Sequence, residues 1–327
     1  MPDAVFVTGA TGFLGSNLVK RLYEGKHKVT IFATKNSFHP SLDGLKIKRK
    51  EGDIRDYNSV LKAMKGCNYA YHLAGLTSDD PRKKEELFGV NALGTENVMK
   101  ACLRLGVKKA VHVSSTSVLG VSTNEKIRLN EESYPDLSGT LYGQSKKLGE
   151  DKVMEYVAKG LNVVIVNPCS ILGYGEVVPN MLNLIRSISK GRIKFTFPGG
   201  TSFVAVDDVI SGMILAMKKG RKGERYILAN EYMRFKDRYN EIAEMLNKPK
   251  IKLELPRISY YPVYFLAMIM EKLAKNPVIT SAMIKWAYGF RNYDCTKARK
   301  ELGWKPKITF RQALMQAIEY YRKNNML

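Results

Sequence analysis

The sequence predicts an α/β fold in which helices cover both faces of a parallel sheet. Three observations predict it: short apolar segments alternate with amphipathic helical segments through the first half of the chain, a glycine-rich turn joins the first two of these segments, and the alternation stops near residue 172. Because parallel neighbours need a helical crossover, such alternation is typical of a doubly wound sheet. We therefore predict a first domain over residues 1–172, to which residues 203–230 return, and a smaller, mostly helical lobe over the remainder of 173–327.

The individual elements follow from two periodicities. The short apolar run Ala4–Thr8 and the strand-like Lys28–Phe32 predict the first strands, and further strand candidates are Ile47–Glu51, Tyr69–Leu73, Ala110–Ser114 and Val163–Val166. Apolar residues three and four positions apart predict helices at Phe13–Tyr23, Tyr57–Met64, Lys84–Leu105 and Leu141–Lys159. Beyond residue 172 the patterns predict helices at Met181–Ser189, Val209–Met217 and Ala313–Tyr321, and a strand at Phe203–Val206. Thr309 and Gln312 form a capping-box pattern ahead of the last helix.

Composition sets limits on the class of protein. The chain has 327 residues, of which 45% are hydrophobic, so it can form a large core and is not a disordered chain. Its 53 Lys and Arg against 31 Asp and Glu give a net charge of +22. Because the basic residues are scattered and no nucleic-acid reader motif is found, we expect a solvated basic surface and no specific nucleic-acid partner. Attraction to anionic substrates, cofactor phosphates or a membrane surface stays open.

The cysteines and histidines do not suggest a metal site. The four Cys lie far apart and the four His lack the spacing of a zinc site, so we expect no metal and reduced thiols, as in a cytoplasmic protein. We also expect no signal peptide and no transmembrane segment. The apolar segment Tyr260–Met270 is expected to be an internal core helix; a cover over the substrate pocket and a peripheral membrane contact are left open.

The strongest local signal is the segment TGATGFLG at Thr8–Gly15, between the first predicted strand and the first predicted helix. Glycines in such a turn let the backbone approach a pyrophosphate closely, and the helix that follows offers unpaired N–H groups and the positive end of its dipole. The glycine spacing alone would also suit an ordinary loop, but the strand–turn–helix setting favours a dinucleotide site of the Rossmann type.

A second signal is Tyr142 followed four residues later by Lys146, near the start of a predicted helix. This spacing places both side chains on one helix face. A tyrosine normally titrates near ~10, and a neighbouring ammonium brings its pKa closer to the range useful for proton transfer. The pair therefore suggests acid/base chemistry, although tyrosine and lysine are also common on helix surfaces.

A third signal is the run of hydroxyl residues Ser114–Ser117 after the predicted strand Ala110–Ser114. Ligands of open α/β sheets lie beyond the carboxyl ends of the strands, so these hydroxyls are placed to reach a substrate. A plain Ser/Thr-rich turn is the alternative.

Together these motifs resemble the extended short-chain dehydrogenase/reductase family, which includes the NAD(P)-dependent epimerase/dehydratase group. Further segments carry the resemblance in the same order along nearly the whole chain: Gly52–Asp56, His72–Gly75, Asn91–Asn97, Val166–Pro168, Val206–Val209 and Leu302–Pro306. The resemblance implies an enzyme that binds NAD(P) on a Rossmann domain and its substrate on the C-terminal lobe. It also implies a homodimer formed through the two long helices near Lys84–Leu105 and Leu141–Lys159.

The resemblance implies a role for each matching residue. Tyr142 would be the general acid/base, Lys146 would hold the nicotinamide ribose and lower the pKa of the tyrosine, and Ser115 would bind the reacting oxygen, with Ser117 as a second candidate. The implied cofactor contacts, besides Tyr142 and Lys146, are Gly9, Thr11, Gly12, Phe13, Leu14, Gly15, Asp53, Ile54, Leu73, Ala74, Gly75 and Pro168. His72 is expected to be a packed strand residue. Asn91 is expected to be either structural or near the site. Asp207 and Asp208 would cap the next helix and tie the lobes together.

On the substrate side, the segment Phe197–Phe203 reads FPGGTSF. Family members that act on nucleotide-diphospho-sugars usually carry an arginine at the position of Ser202, whereas the Gly-Gly-Thr-x-Phe form is similar to the dihydroflavonol reductase branch. The resemblance therefore favours an oxidoreductase that acts on a carbonyl or alcohol. A nucleotide-sugar epimerase or dehydratase with tightly bound NAD is the alternative, with Arg186, Lys190 or Arg192 meeting the anion. A protein that only senses dinucleotides is disfavoured, because it would not need Ser115, Tyr142 and Lys146 together.

The end of the second predicted strand bears on the choice of cofactor. In this fold an acidic residue about 20 positions beyond the glycine motif binds the adenosine ribose hydroxyls and would repel a 2′-phosphate. Thr34 and Lys35 occupy that region, and no Asp or Glu lies between Glu24 and Asp43. We therefore predict a preference for NADP(H), with NAD(H) also accepted if Lys35 only points into solvent.

Overall fold

The computed structural model describes residues 3–133, 140–175, 180–273 and 280–327. Its strands are β1 (Ala4–Thr8), β2 (Lys28–Ala33), β3 (Lys48–Glu51), β4 (Tyr69–His72), β5 (Lys109–Val113), β6 (Val163–Pro168), β7 (Ser170–Leu172), β8 (Phe195–Thr196), β9 (Gly200–Ala205), β10 (Arg225–Leu228), β11 (Tyr232–Arg234), β12 (Leu253–Glu254) and β13 (Phe290–Arg291). Its helices are α1 (Phe13–Glu24), α2 (Tyr57–Met64), α3 (Lys84–Phe88), α4 (Gly94–Arg104), α5 (Leu141–Ala158), α6 (Asn180–Ser189), α7 (Val206–Lys219), α8 (Phe235–Met245), α9 (Tyr260–Leu273), α10 (Ser281–Tyr288) and α11 (Phe310–Lys323).

The main sheet has seven strands in the order β10-β6-β5-β4-β1-β2-β3, and every neighbouring pair is parallel. The predicted doubly wound Rossmann sheet is therefore confirmed. The predicted helix Lys84–Leu105 is not continuous, because the wider turn Gly89–Leu93 separates α3 from α4. Such π-type turns are often found at functional sites, and this one contains Asn91.

Both faces of the main sheet are buried, because alternate residues of each strand point to opposite sides. In β1, Val5 and Val7 pack in the apolar cluster that includes residues of α1 and α7. Phe6, between them, packs in the cluster that includes residues of α2, α4 and α5. The carboxyl ends of the central strands are thereby held in fixed positions along one edge, where the candidate site lies.

The second lobe contains more sheet than the sequence indicates. Strands β7, β9, β11 and β13 form a small sheet, and β8 pairs with β12. Helices α6, α8 and α11 pack with the small sheet around a core of their own. Within the stretch 203–230, α7 packs on the main sheet and β10 joins its edge, whereas residues 203–205 belong to the small sheet.

Two acidic residues in the first turn of α7 hold other segments in place. The Asp208 carboxylate accepts hydrogen bonds from the backbone N–H groups of Lys307 and Ile308 at 3.0 Å, which fixes the segment before α11. Asp207 accepts a 2.9 Å bond from the Tyr174 hydroxyl. No side chain caps α7 at its N-cap residue, Ala205. The prediction that these aspartates cap their own helix is therefore wrong, because their oxygens bind groups outside it. The prediction that they tie the lobes together holds for Asp208, which joins α7 to the segment before α11. The capping box of α11 is confirmed.

Candidate active site

The carboxyl ends of β1, β4, β5 and β6 meet the start of α5 around a cavity of about 180 Å³. Its lining brings together residues from five separate segments of the chain, and these are Leu14, Leu73, Gly75, Thr77, Val113, Ser114, Ser115, Tyr142, Lys146, Pro168, Cys169 and Ile171. Seven of the residues predicted from sequence, namely Leu14, Leu73, Gly75, Ser115, Tyr142, Lys146 and Pro168, thus line one cavity.

The glycine-rich turn has the shape that a dinucleotide needs. Gly9 has a φ of +68°, and a Cβ there would lie 2.6 Å from the backbone of Leu73 and Ala74. A Cβ on Gly15 would lie 2.0 Å from the Gly9 carbonyl oxygen. Gly12 is the N-cap of α1, and no side chain caps that end of the helix. The first N–H groups of α1 are therefore free of side-chain acceptors and fit a pyrophosphate at the positive end of the helix dipole.

A buried hydrogen-bond chain fixes the strand ends behind this turn. The Thr8 hydroxyl lies 2.8 Å from His72 Nδ1, and His72 Nε2 lies 2.9 Å from the Thr95 hydroxyl. Because the Thr95 hydroxyl donates to the Asn91 carbonyl oxygen, it accepts from Nε2–H, and Nδ1 accepts from Thr8. Burial lowers the pKa of His72 to about 3, so the imidazole is neutral and structural.

Lys146 lies deep in the site. Its side chain is buried, with 4% of the residue exposed, and Nζ donates a 2.9 Å hydrogen bond to the Val113 carbonyl oxygen. Burial lowers its pKa to about 8, and the charge of Glu150, one turn further along α5, opposes that shift. Glu150 is held in turn by Asn167 Nδ2 at 2.7 Å and by Arg225 Nη1 at 3.5 Å. The ammonium is thus a fixed charge in a poorly solvated position.

Tyr142 lies in the first turn of α5, whose start is fixed by two side-chain acceptors. The Thr140 hydroxyl accepts from Gly143 N at 2.9 Å, and Asp79 Oδ1 accepts from Tyr142 N at 3.1 Å. The phenol is hydrogen-bonded to the side chains of Ser115 and Thr77, which lower its pKa, but burial has the larger effect and raises it. The lowering by Lys146 that the resemblance implies is not seen, since its ammonium binds Val113 instead.

The two candidate serines are in different situations. Ser115 Oγ accepts a 3.1 Å hydrogen bond from Ser117 N, so its own proton is available to a phenol or substrate oxygen. Ser117 Oγ is buried and has no hydrogen-bond partner in the described residues. Ser117 lines the second cavity rather than the first.

At the adenosine end, the predicted contacts differ in what they offer. The Asp53 carboxylate binds the Arg55 guanidinium at 2.5 to 3.0 Å, which lowers its pKa, and the Ile54 side chain is buried against Gly94. Thr34 and Lys35 are exposed at the end of β2. Arg49, which the sequence did not single out, donates from Nη2 to the carbonyl oxygens of Thr34 and Ser37 at 3.0 and 2.8 Å. Its register on β3 was the only signal that could have found it.

A second cavity of about 450 Å³ begins beside the first, at Ser117 and Gly143. Its far wall is aromatic and comes from α9 and α10, with Tyr260, Tyr261, Trp286 and Tyr288. The expectation that Tyr260–Met270 is an internal core helix is therefore wrong. Helix α9 lies at the surface, because within it only Ala267 is fully buried.

The cationic residues considered for an anionic substrate lie elsewhere than predicted. Ser202, in the place of the family's arginine, is buried in β9, and its hydroxyl accepts from Tyr293 N at 3.2 Å. Arg186, Lys190 and Arg192 line neither cavity. Arg291, which sequence reasoning missed, stacks its guanidinium 4.3 Å from the ring centre of Trp286, and burial lowers its pKa to about 10. Among the described residues its Nε has no hydrogen-bond partner.

Among residues 3–133, 140–175, 180–273 and 280–327, no group of three or more His, Cys, Asp or Glu side chains is placed to hold a metal ion. Over the same part of the chain, no helix combines the length and the apolar character that crossing a membrane requires.

The sequence similarity to known proteins extends along the whole chain. The model of the NAD dependent epimerase/dehydratase family matches residues 5–229. Sterol demethylase protein B of Methylococcus capsulatus is 32% identical over 325 residues, which cover 98% of this chain and 99% of that protein. A Synechocystis protein provisionally named dihydroflavonol 4-reductase is 29% identical over 336 residues, covering 99% and 96%. The crystal structure of gox2253 superimposes with a TM-score of 0.88 at 28% identity and covers 99% of each chain.

The structural similarity agrees with the Rossmann-type strand order of the main sheet. The resemblance to the extended short-chain dehydrogenases/reductases, including their dihydroflavonol reductase-like members, is confirmed. The chain belongs to the NAD dependent epimerase/dehydratase family.

Proposed function

We propose that this protein is an NAD(P)-dependent oxidoreductase that interconverts an alcohol and a carbonyl group on a hydrophobic substrate. The observation that carries the proposal is the meeting of Ser115, Tyr142 and Lys146 at one cavity beside the glycine turn, with an aromatic-walled cavity next to it. The first cavity supplies the groups for proton transfer, and the second supplies room for an apolar body.

In the proposed mechanism Gly9, Gly12 and Gly15 at the start of α1 would hold the dinucleotide, which would supply the hydride chemistry. Tyr142 takes the hydroxyl proton of an alcohol as it becomes a carbonyl, or returns that proton in the reverse direction. Ser115 Oγ accepts from Ser117 N, so its own proton is available, and Ser115 donates it in a hydrogen bond to the same substrate oxygen. Lys146, one helical turn from Tyr142 and lining the same cavity, would hold the nicotinamide ribose of the dinucleotide. Thr140 and Asp79 keep the first turn of α5, and with it Tyr142, in place.

The second cavity suggests the substrate class. Tyrosine and tryptophan side chains form much of its wall, and such surfaces favour flat or fused-ring apolar molecules with a few polar groups. The relative from Methylococcus capsulatus is named for sterols, so hydroxysterols and ketosteroids are the first compounds to test.

The test is a panel of hydrophobic alcohols and ketones offered with each cofactor in both redox states, read by the absorbance of the reduced nicotinamide. We expect turnover with cyclic, largely apolar compounds and weak turnover with small polar ones. Cofactor that stays bound through purification, together with turnover of a nucleotide sugar and of nothing in the panel, would overturn the proposal.

Arg291 is the observation that favours the alternative, an epimerase or dehydratase of nucleotide sugars. Its guanidinium lies on the Trp286 ring that lines the second cavity, and an unpartnered buried Nε is suited to an anionic group. Binding of UDP-glucose that is lost in Arg291→Gln would support this alternative.

Two finer features belong to the proposal. The exposed Thr34 and Lys35 favour NADP(H) over NAD(H), and Arg49 holds their segment by a hydrogen bond to the Thr34 carbonyl oxygen.

A homodimer through α3, α4 and α5 would cover apolar side chains that these segments leave exposed, among them Leu103, Leu148 and Met154. Light scattering of wild type and Leu148→Glu tests the dimer: we expect a dimer and a monomer, respectively, and a monomeric wild type would contradict it.

A further inference from the structure

Helix α9 presents an apolar face to solvent. At about 100° per residue, Tyr261, Phe265, Ile269, Leu273 and Leu266 fall within an arc of about 140°. All five are exposed, Tyr261 by 77% and Phe265 by 60%. The only charged residue in that arc is Lys272. A surface helix normally turns polar residues to this side, so the pattern indicates a contact surface.

The opposite face of α9 is packed against the protein. Ala267 is buried, and Tyr260, Val263 and Tyr264 pack with it against Ile284 and Tyr288 of α10. The one acidic residue of α9, Glu271, is half-buried and lies away from the exposed apolar arc. The helix is therefore anchored to the protein by one apolar side and offers a second.

A basic groove adjoins this surface. It is lined by Lys190, Lys194, Lys248, Lys250 and Lys252, all of them exposed. Of these, only Lys250 forms an ion pair that the structure records, with Glu244 at 3.6 Å.

Packed side chains connect the groove to the helix. Strand β8, after Lys194, pairs with β12, after Lys252. From β8, aromatic rings connect Phe195 to Phe197, Phe197 to Tyr288 and Tyr288 to Tyr260 with centroids 5.4 to 5.7 Å apart. This path reaches α9 on its packed face, and Phe195 and Leu253 add exposed apolar groups beside the lysines.

We propose that the exposed face of α9 and the adjoining lysine groove dock on the surface of an anionic lipid bilayer. Apolar side chains would enter the boundary between headgroups and acyl chains, and the lysines would contact lipid phosphates, which is the usual division in helices that lie in a membrane interface. A second copy of this chain fits the surface less well. It would bring another chain of net charge +22 against the same cationic groove.

The proposed surface also lies at the entrance to the second cavity. Tyr261 belongs both to the exposed arc of α9 and to the cavity wall, and Arg257, just before α9, lines the same cavity. Docking would therefore place that entrance at the bilayer, where an apolar substrate dissolves. The docking itself does not depend on the proposed reaction, because binding is measured without substrate or cofactor.

Vesicle binding tests the proposal. Full-length protein is sedimented with vesicles of phosphatidylcholine alone or with about a third phosphatidylglycerol, at low and high salt. We expect strong binding only to the anionic vesicles and a loss of about tenfold or more at high salt. Phe265→Glu should weaken binding by about tenfold or more, because it places a charge where an apolar ring enters the lipid. Phe38→Glu is the matched control, since Phe38 is 61% exposed but lies far from α9 in sequence, in the loop after β2.

A second set of variants tests the groove. Lys190→Gln/Lys194→Gln/Lys252→Gln should reduce binding to anionic vesicles several-fold, whereas Lys62→Gln/Lys65→Gln/Lys108→Gln, three exposed lysines of the Rossmann domain, should not. Unchanged thermal melting shows that each variant is folded. Absence of binding to every vesicle overturns the proposal, and so does equal loss in Phe265→Glu and Phe38→Glu. A dimer that Phe265→Glu dissolves, with no vesicle binding, would instead make this face an interface between copies.

Discussion

The two cavities of this protein are neighbours built in opposite ways. The smaller one is formed by strand ends and by polar groups held in place by hydrogen bonds, as Lys146 is by the Val113 carbonyl oxygen. The larger one has a wall of aromatic rings from α9 and α10. Under the proposed function, the first arrangement would hold reacting groups to a fixed geometry and the second would accept apolar shapes. Chemistry and substrate selection would then fall in two neighbouring cavities.

The largest expected effect comes from removing the proton-transfer group of the smaller cavity. Tyr142→Phe should lower kcat by roughly 10²–10⁴, the usual contribution of a positioned acid/base. Cofactor affinity should stay nearly unchanged, because the glycine turn and Lys146 are intact. Steady-state kinetics and cofactor titration measure the two quantities, with Tyr57→Phe on α2 as the control. Full activity of Tyr142→Phe would show that the proton moves by another route.

A second prediction uses the cost of burying the lysine. In the folded protein the pKa of Lys146 is about 8, against 10.5 for an ordinary lysine. Between those values the unfolded chain binds a proton that the folded chain has lost, so the free energy of unfolding rises with pH, by about 3 kcal/mol at 1.36 kcal/mol per pKa unit. Lys146→Met should lack this rise and should also lose turnover.

Urea unfolding of wild type and Lys146→Met from pH 7 to pH 10 measures the difference between them. The stability of wild type should increase relative to the variant as the pH rises. A difference that stays constant with pH would mean that Lys146 is solvated like a surface lysine. That result would contradict the view that polar groups of the smaller cavity are held in place against a free-energy cost.

The two cavities also differ in how far the sequence predicts them. The glycine turn and the Tyr142–Lys146 pair are visible because neighbours in sequence make them. Asp79 and Arg49 were missed because each acts on a segment further along or back in the chain, namely the start of α5 and the loop after β2. Arg291 was missed because its contact with the Trp286 ring, five residues earlier, depends on how the chain turns between α10 and β13. The prediction for α9 was wrong, because an apolar run has the same periodicity whether it faces a core, a ligand or a membrane.

The aromatic cavity should respond differently to substitution. Trp286→Ala removes a large apolar surface and the ring under the Arg291 guanidinium. We expect the KM for a hydrophobic substrate to rise about tenfold, since aromatic and cation–π contacts of this kind contribute about 1–2 kcal/mol. The kcat should change little, because Trp286 lies outside the smaller cavity. A variant with normal KM and reduced kcat would place Trp286 in the chemistry and contradict the division between cavities.

The smallest effect is expected at the far end of the dinucleotide site, where the groups are exposed. Wild type should use NADPH with a higher kcat/KM than NADH, because Lys35 attracts a 2′-phosphate and no carboxylate repels it. Lys35 is exposed, so its contribution is screened, and Lys35→Ala should reduce the NADPH preference by only about fivefold, or about 1 kcal/mol. Lys46→Ala, an exposed lysine in the loop before β3, is the control and should leave the ratio unchanged. Raising the salt concentration should shrink the preference of wild type and have little effect in Lys35→Ala. If wild type prefers NADH, the missing carboxylate was misread, and Arg49 serves only to hold the loop after β2 through its bonds to Thr34 and Ser37.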